Sequence, residues 1–285
     1  MLEYLAPYEF YLEVVAFCLL AALAYGRGLY VRRANGLSIA IAPAISYFLG
    51  LTLIYALMHT YIDYLSQYMF WVHRLQHLGL HHLGAFLMVL GRPHEVLPYS
   101  LPPGPRAVAR RILYHPVVQW PYRVVQQPAI AGFLFVGLIY FWLLPSIHFD
   151  AMLSEWVYRI MNASMVIDGL LFWWLIVNPR GKLDGGFSFG KRVLLLWLIM
   201  FPQLALGAYI ALSDGVLYDV YAVCGRAWPV SPITDQQLGG LITWIPAGMM
   251  SLIGILYCLR LWLHESARNK PSTPTPLRPR TGEST

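Results

Sequence analysis

His73, His77 and His81 recur every four residues in the stretch Trp71-Val72-His73-Arg74-Leu75-Gln76-His77-Leu78-Gly79-Leu80-His81-His82. On a helix that spacing puts their side chains on one face. Two imidazoles one turn apart can hold one metal ion. The H-E-x-x-H zinc motif adds a glutamate base after its first histidine. Arg74 stands at that place, and Gln76 cannot act as a base, so the metalloprotease reading fails. No Ser-His-Asp set, glycine-rich phosphate loop or Walker motif is present in the sequence. These residues suit holding a metal better than making or breaking bonds. Imidazole and thioether ligands suit copper, Cu(I) above all. His59, His73 and His77 are the expected metal ligands. Glu13, Gln76, His81, Met161, Asn162, Met165, Asp168 and Asp235 are supporting polar or ligand candidates.

Each of these residues also has a structural reading. An intramembrane histidine such as His81 or His82 can serve as a hydrogen-bonding packing residue. Met161 and Met165 can pack in a core, and Asp168 can pair with an arginine or a histidine. Thr234 and Gln237 can form a capping box for the last helix, with Gly239 and Gly240 allowing close helix packing. The run Phe172-Trp173-Trp174 reads as an aromatic belt at a membrane interface.

The elements that position these residues follow from hydropathy. Apolar residues make up 58% of the 285 and charged residues 12%, against about a quarter charged in soluble domains. Uncharged runs recur at roughly the 20 residues needed to cross a bilayer. Seven spans are expected near Tyr4–Tyr25, Leu37–Met58, Tyr68–Leu90, Pro128–Leu144, Trp156–Val177, Val193–Leu212 and Leu238–Leu263. All should be helical, because a helix satisfies its own backbone in lipid. The predicted fold is an all-α polytopic bundle over residues 1–268. It includes a proline-rich connection at 92–127, and a disordered tail follows at 269–285.

Of the 20 Lys and Arg, 17 fall in alternate loops and the tail. Cytoplasmic loops carry that excess, so the N-terminus is expected outside and the C-terminus in the cytoplasm, in a bacterial inner membrane. The basic residues are scattered between apolar segments and form no single stripe, which argues against a nucleic-acid partner despite the net charge of +6. Trp120, Tyr122 and Arg123 in the 92–127 connection are expected to meet anionic lipid. Cys18, Cys224 and Cys258 form no paired motif, and no cleavable signal peptide is expected. By helical rise, Glu13, His77 and Asn162 should lie at similar depths, roughly 10–14 Å from the outer ends of their spans.

Three segments resemble a known family. They are His73-x-x-Gln76-His77 with the apolar run ending Leu90-Gly91-Arg92-Pro93, then Gly169-Leu170-Leu171-Phe172-Trp173, then Asp235-Gln236-Gln237-Leu238-Gly239-Gly240 leading to Trp244. In this order, over about Tyr47–Trp262, they are similar to the multi-span cytochrome c oxidase assembly factors of the CtaG type. Many relatives carry a histidine near the place of Asn162, which this chain lacks. The resemblance implies help in building a haem–copper oxidase by supplying or inserting copper. An oxidase subunit and a periplasmic copper carrier would be the partners. A different protein of the CtaG name, a single-span copper chaperone, uses a Cys-x-Cys site that this chain does not have. Two other readings stay open at this point. One is a haem-binding electron carrier, with His59 or His148 as a second axial ligand. The other is a copper or proton transporter.

Overall fold

The computed structural model describes residues 10–37, 40–178 and 187–268. Its elements are helical. They run α1 (Leu12–Ala34), α2 (Ile41–His59), α3 (Tyr61–Tyr68), α4 (Phe70–His77), a π-helical stretch Leu78–Gly84, α5 (Ala85–Leu90) and α6 (Pro93–Val96). After a 3-10 turn at Leu97–Tyr99 come α7 (Pro103–Leu113), α8 (Pro116–Val125), α9 (Pro128–Trp142), α10 (Pro145–Leu153), α11 (Glu155–Val177), α12 (Phe189–Leu212), α13 (Val220–Val223) and α14 (Pro232–Arg268).

Among the described residues, α1, α2, α11, α12 and α14 are long and apolar enough to cross a membrane. The pair α8–α9, bent by 71°, makes a sixth if counted as one span. The expected third span is the unbroken column α4–π–α5, whose polar residues keep it out of that group. It is the axis of the bundle. Most side chains from Phe70 to Val89 are buried, with α2, α11 and α14 packed around it. Leucines on the outer helices (Leu19, Leu20, Leu23, Leu49 and Leu198) face outward instead. Polar inside and apolar outside is the arrangement a lipid solvent selects.

At one end of the bundle Arg192, in the first turn of α12, donates to the Ile176 carbonyl at 2.7 Å. At this end Arg32 donates to the Glu95 carbonyl at 2.6 Å, and Tyr25 caps the column by donating to the Gly91 carbonyl at 2.6 Å. Arg92 itself takes a left-handed conformation (φ 53°), which breaks the column just before Pro93. At the other end lie His59, Asp63, Glu13 and Asp235.

Several expectations are corrected. The first helix runs to Ala34, not Tyr25, so Arg27, Arg32 and Arg33 lie within it and not in a loop. Arginine is a good helix former, and the helix stops only before Gly36, at φ +72°. Tyr68, the expected start of the third span, ends α3, and a new helix starts at Phe70, because Met69 is extended. The last helix starts at Pro232 and has 37 residues, about 55 Å at 1.5 Å per residue. Its cap is Ser231, whose Oγ accepts from Thr234 N at 3.2 Å, and not Thr234. Phe172 and Trp173 are not a belt: both are buried against Phe86 and Phe135. Only Trp174 behaves as an edge residue, donating to Tyr122 Oη at 3.0 Å. Gly240 does allow close packing: a Cβ there would strike the backbone of Ala211 on α12. The 269–285 tail lies outside the described residues, as does Tyr4–Glu9 of the first expected span.

Candidate functional site

The histidine face begins with a borrowed cap. Met69 offers no side-chain cap to α4. Asp235, the fourth residue of α14, instead accepts from Phe70 N at 3.1 Å and Trp71 N at 2.9 Å. Its carboxylate also pairs with Arg226. An anion at the positive end of a helix is stabilising, and this one fixes the rotation of the turn that carries His73.

His73 is 0% exposed, and neither ring nitrogen has a hydrogen-bond partner. The Ser66 carbonyl lies near the ring but outside hydrogen-bond geometry. The ring is 4.2 Å from that of His77, 5.1 Å from His148 and 6.1 Å from Tyr158, centroid to centroid. An unmet buried polar group costs about 1–3 kcal/mol, so two on one ring call for a compensating role.

Its neighbours are satisfied, and their partners fix their tautomers. His148 Nδ1 lies 2.9 Å from the Trp142 carbonyl, which can only accept, so Nδ1 carries the proton. Its Nε2 then accepts from Tyr221 Oη at 3.0 Å. His77 Nδ1 lies 3.3 Å from the Arg74 guanidinium, which can only donate. His77 Nε2–H therefore donates to Asn162 Oδ1 at 3.1 Å. Arg74, itself buried, is held by Thr243 Oγ1 at 2.9 Å. A cavity of about 10 Å³ opens among Arg74, His77, His82, Met165, Gln203 and Thr243, room for about one water.

Polar clusters flank the pair on both sides. Toward the Asp63 end, Gln76 Nε2 donates to Asp63 Oδ1 and to the Leu57 carbonyl, both at 2.7 Å. Tyr158 Oη lies 2.8 Å from Asp63 Oδ1, 3.2 Å from Gln76 Oε1 and 2.7 Å from Ser66 Oγ. Deeper along the column, His81 Nε2 meets Asp168 Oδ2 at 2.8 Å and His82 Nε2 meets Gln203 Oε1 at 3.4 Å. Adjacent residues 81 and 82 of the π turn both face inward, toward α11 and α12. Gly169 permits this approach, since a Cβ there would hit the His81 backbone.

The other expected residues are placed as follows. His59 is set apart in an aromatic cage: its ring centroid is 5.1 Å from Tyr55 and 5.7 Å from Phe10, and its Nδ1 accepts from Tyr11 N at 3.5 Å. Glu13 is an ion-pair partner of Arg159. Met161 and Met165 are buried beside Phe70 and Tyr158 in one apolar cluster. Among the described residues no three His, Cys, Asp or Glu side chains gather as a metal-holding set. Sequence reading left Tyr158, Gln203 and Tyr221 out of the site and gave His148 only a haem role. None stands in a motif. The polar character of Gln203 inside an apolar run was the one available signal.

A helical bundle with a buried His-x-x-Gln-His turn invites comparison with membrane assembly factors. The model of the cytochrome c oxidase caa3 assembly factor (Caa3_CtaG) family matches residues 23–265. The chain belongs to that family. It is also similar to uncharacterized proteins of three mycobacteria. Those of Mycobacterium bovis and Mycobacterium tuberculosis are each 26% identical over 262 residues, covering 87% of this chain and 38% of theirs. One of Mycobacterium leprae is 25% identical over 215 residues, covering 70% and 31%. The chain thus spans well under half the length of these relatives. No solved structure matches it. The matched residues of the Caa3_CtaG family contain the whole histidine column and both polar clusters.

Proposed function

We propose that this Caa3_CtaG family member helps to assemble a haem–copper cytochrome c oxidase by holding copper briefly at His73 and passing it to an oxidase subunit in the same membrane. The observation that carries the proposal is the His73 ring, fully buried with both nitrogens unpartnered. An imidazole lone pair in that state is a ligand without a load. His77 and His148 stand beside it, and Met165 lines the adjoining cavity. Imidazole nitrogen and thioether sulfur suit copper, and His77 or His148 would join the set by releasing its present partner, Arg74 or Tyr221. The role is one of delivery and not of turnover.

Arg74 supports the donor role. Its guanidinium occupies the His77 lone pair and repels a cation arriving there, so the ion is held loosely enough to leave. The cavity of about 10 Å³ holds roughly a water, which disfavours a porphyrin. On this reading seven columns cross the membrane: the five long helices, α9 and the α4–α5 column. The arginine-bearing end faces the cytoplasm, and copper enters from the periplasmic end.

The test is a Cu(I) titration of the purified chain against a chromophoric chelator. The wild type should retain copper, and the His73→Ala/His77→Ala variant should lose it at least tenfold in affinity. Equal retention by both would remove the site.

A further inference from the structure

The helices α7 and α8 have no core of their own. None of their residues is buried. Val117 is 73% and Trp120 72% exposed, and Val108, Ile112, Leu113 and Tyr114 are also open. In helical projection α7 carries Val108, Ile112 and Leu113 on one side, with Arg106, Arg110 and Arg111 around the rest. In α8 only Gln119 and Arg123 interrupt an apolar surface. Arg106, Arg110, Arg111 and Tyr114 line one open groove on α7. The sequence has no Asp or Glu between Glu95 and Asp150, so nothing acidic from this stretch neutralises the groove.

Position supports a single occupant. α8 leaves the axis of α9 by 71°, so where α9 crosses the bilayer, α8 lies close to its plane. The Tyr122–Trp174 bond and Gln126 Nε2 donating to the Leu171 carbonyl at 3.0 Å fix α8 to the end of α11. Arg32 and Arg106 both stack on Tyr99 at 5.2 and 5.3 Å, which ties α7 to the arginine-bearing end of α1. We infer that α7–α8 is an interfacial elbow whose apolar faces sink into the bilayer surface and whose Arg106–Arg110–Arg111 groove binds the phosphate of an anionic phospholipid. Guanidinium groups pair with phosphate through parallel N–H bonds, and apolar burial with basic flanks is how an interfacial helix holds a charged leaflet. This site is independent of the copper reading.

The test uses the full chain in nanodiscs and follows amide hydrogen exchange in residues 103–125. Discs of phosphatidylglycerol should slow exchange several-fold relative to phosphatidylcholine discs. The Arg106→Gln/Arg110→Gln/Arg111→Gln variant should lose that difference, while exchange in α11 and α14 stays unchanged and reports an intact bundle. Equal exchange in both lipids for the wild type would overturn the inference. So would protection in phosphatidylcholine discs raised to the same degree by inorganic phosphate, by a soluble acidic peptide or by RNA.

Discussion

At the residue scale, His73 and Arg74 pull in opposite directions. His73 offers an unused lone pair, and Arg74, the next residue, places a fixed cation on its neighbour His77. Replacing Arg74 with glutamine should therefore tighten copper retention by roughly tenfold, about 1.4 kcal/mol. The chelator titration used for the histidine variant reads this directly, and unchanged or weaker retention would show that Arg74 does not tune the site. Asp235 gives a stability prediction. It is fully buried and holds two backbone N–H groups and Arg226. Asp235→Asn keeps the shape and removes the charge, so it should cost about 1–3 kcal/mol and lower the thermal midpoint in detergent. A midpoint equal to that of the wild type would mean the cap contributes nothing. The i, i+4 spacing of His73 and His77 was legible from sequence because it is local. Their third neighbour, His148, was not, since it arrives from α10, some 75 residues away. Nothing in Pro145–Leu153 sets that imidazole apart until the fold closes.

At the element scale, the column α4–π–α5 decides the design. Adjacent residues on an α-helix point about 100° apart, and because the column is enclosed on several sides both can face inward, as Gln76 and His77 do in α4. In the π turn His81 and His82 each have their own partner on a separate helix, Asp168 on α11 and Gln203 on α12. Gly169 is the place where α11 accepts this wider turn. Gly169→Val should push α11 away from the column, break the His81–Asp168 contact and lower the thermal midpoint. Gly26, with open space around its Cα, serves as the control, and Gly26→Ala should be neutral or slightly stabilising in a helix. Equal midpoints for the two variants would show that the close approach carries no energy. The sequence showed the column as a short apolar run with a polar start, and that was enough to place it inside. The π turn itself left no local signal, because it answers to contacts made by α11 and α12. The burial of Trp173 was hidden for the same reason: an aromatic near a helix end looks the same whether it meets lipid or Phe86.

At the scale of the whole molecule, hydropathy made the membrane class plain, while the sidedness read from charge alternation is a proposal. Arg192 lies in the first turn of α12 and Arg260 near the end of α14, so neither stands in a loop as the sequence reading had it. With seven crossings, a green fluorescent protein fused after Arg268 should fluoresce in cells. An alkaline phosphatase fused after Trp228, between α13 and α14, should be active. The reverse pattern would remove the proposed sidedness and with it copper entry from the periplasm. Loss of the chain from its host should reduce haem–copper oxidase activity. Added copper should restore part of that activity if the chain delivers the metal, and none if it only scaffolds the subunits.

The complete enclosure of His73 has a kinetic consequence. On the proposed reading a metal ion reaching that ring sheds its water first, because the ring is 0% exposed and the adjoining void of about 10 Å³ has room for about one water. Loading and unloading must therefore wait for the surrounding helices to part. Exchange should be slow, strongly temperature-dependent and indifferent to ion concentration once saturating. Docking of a recipient that pries the helices open would then act as the trigger for release.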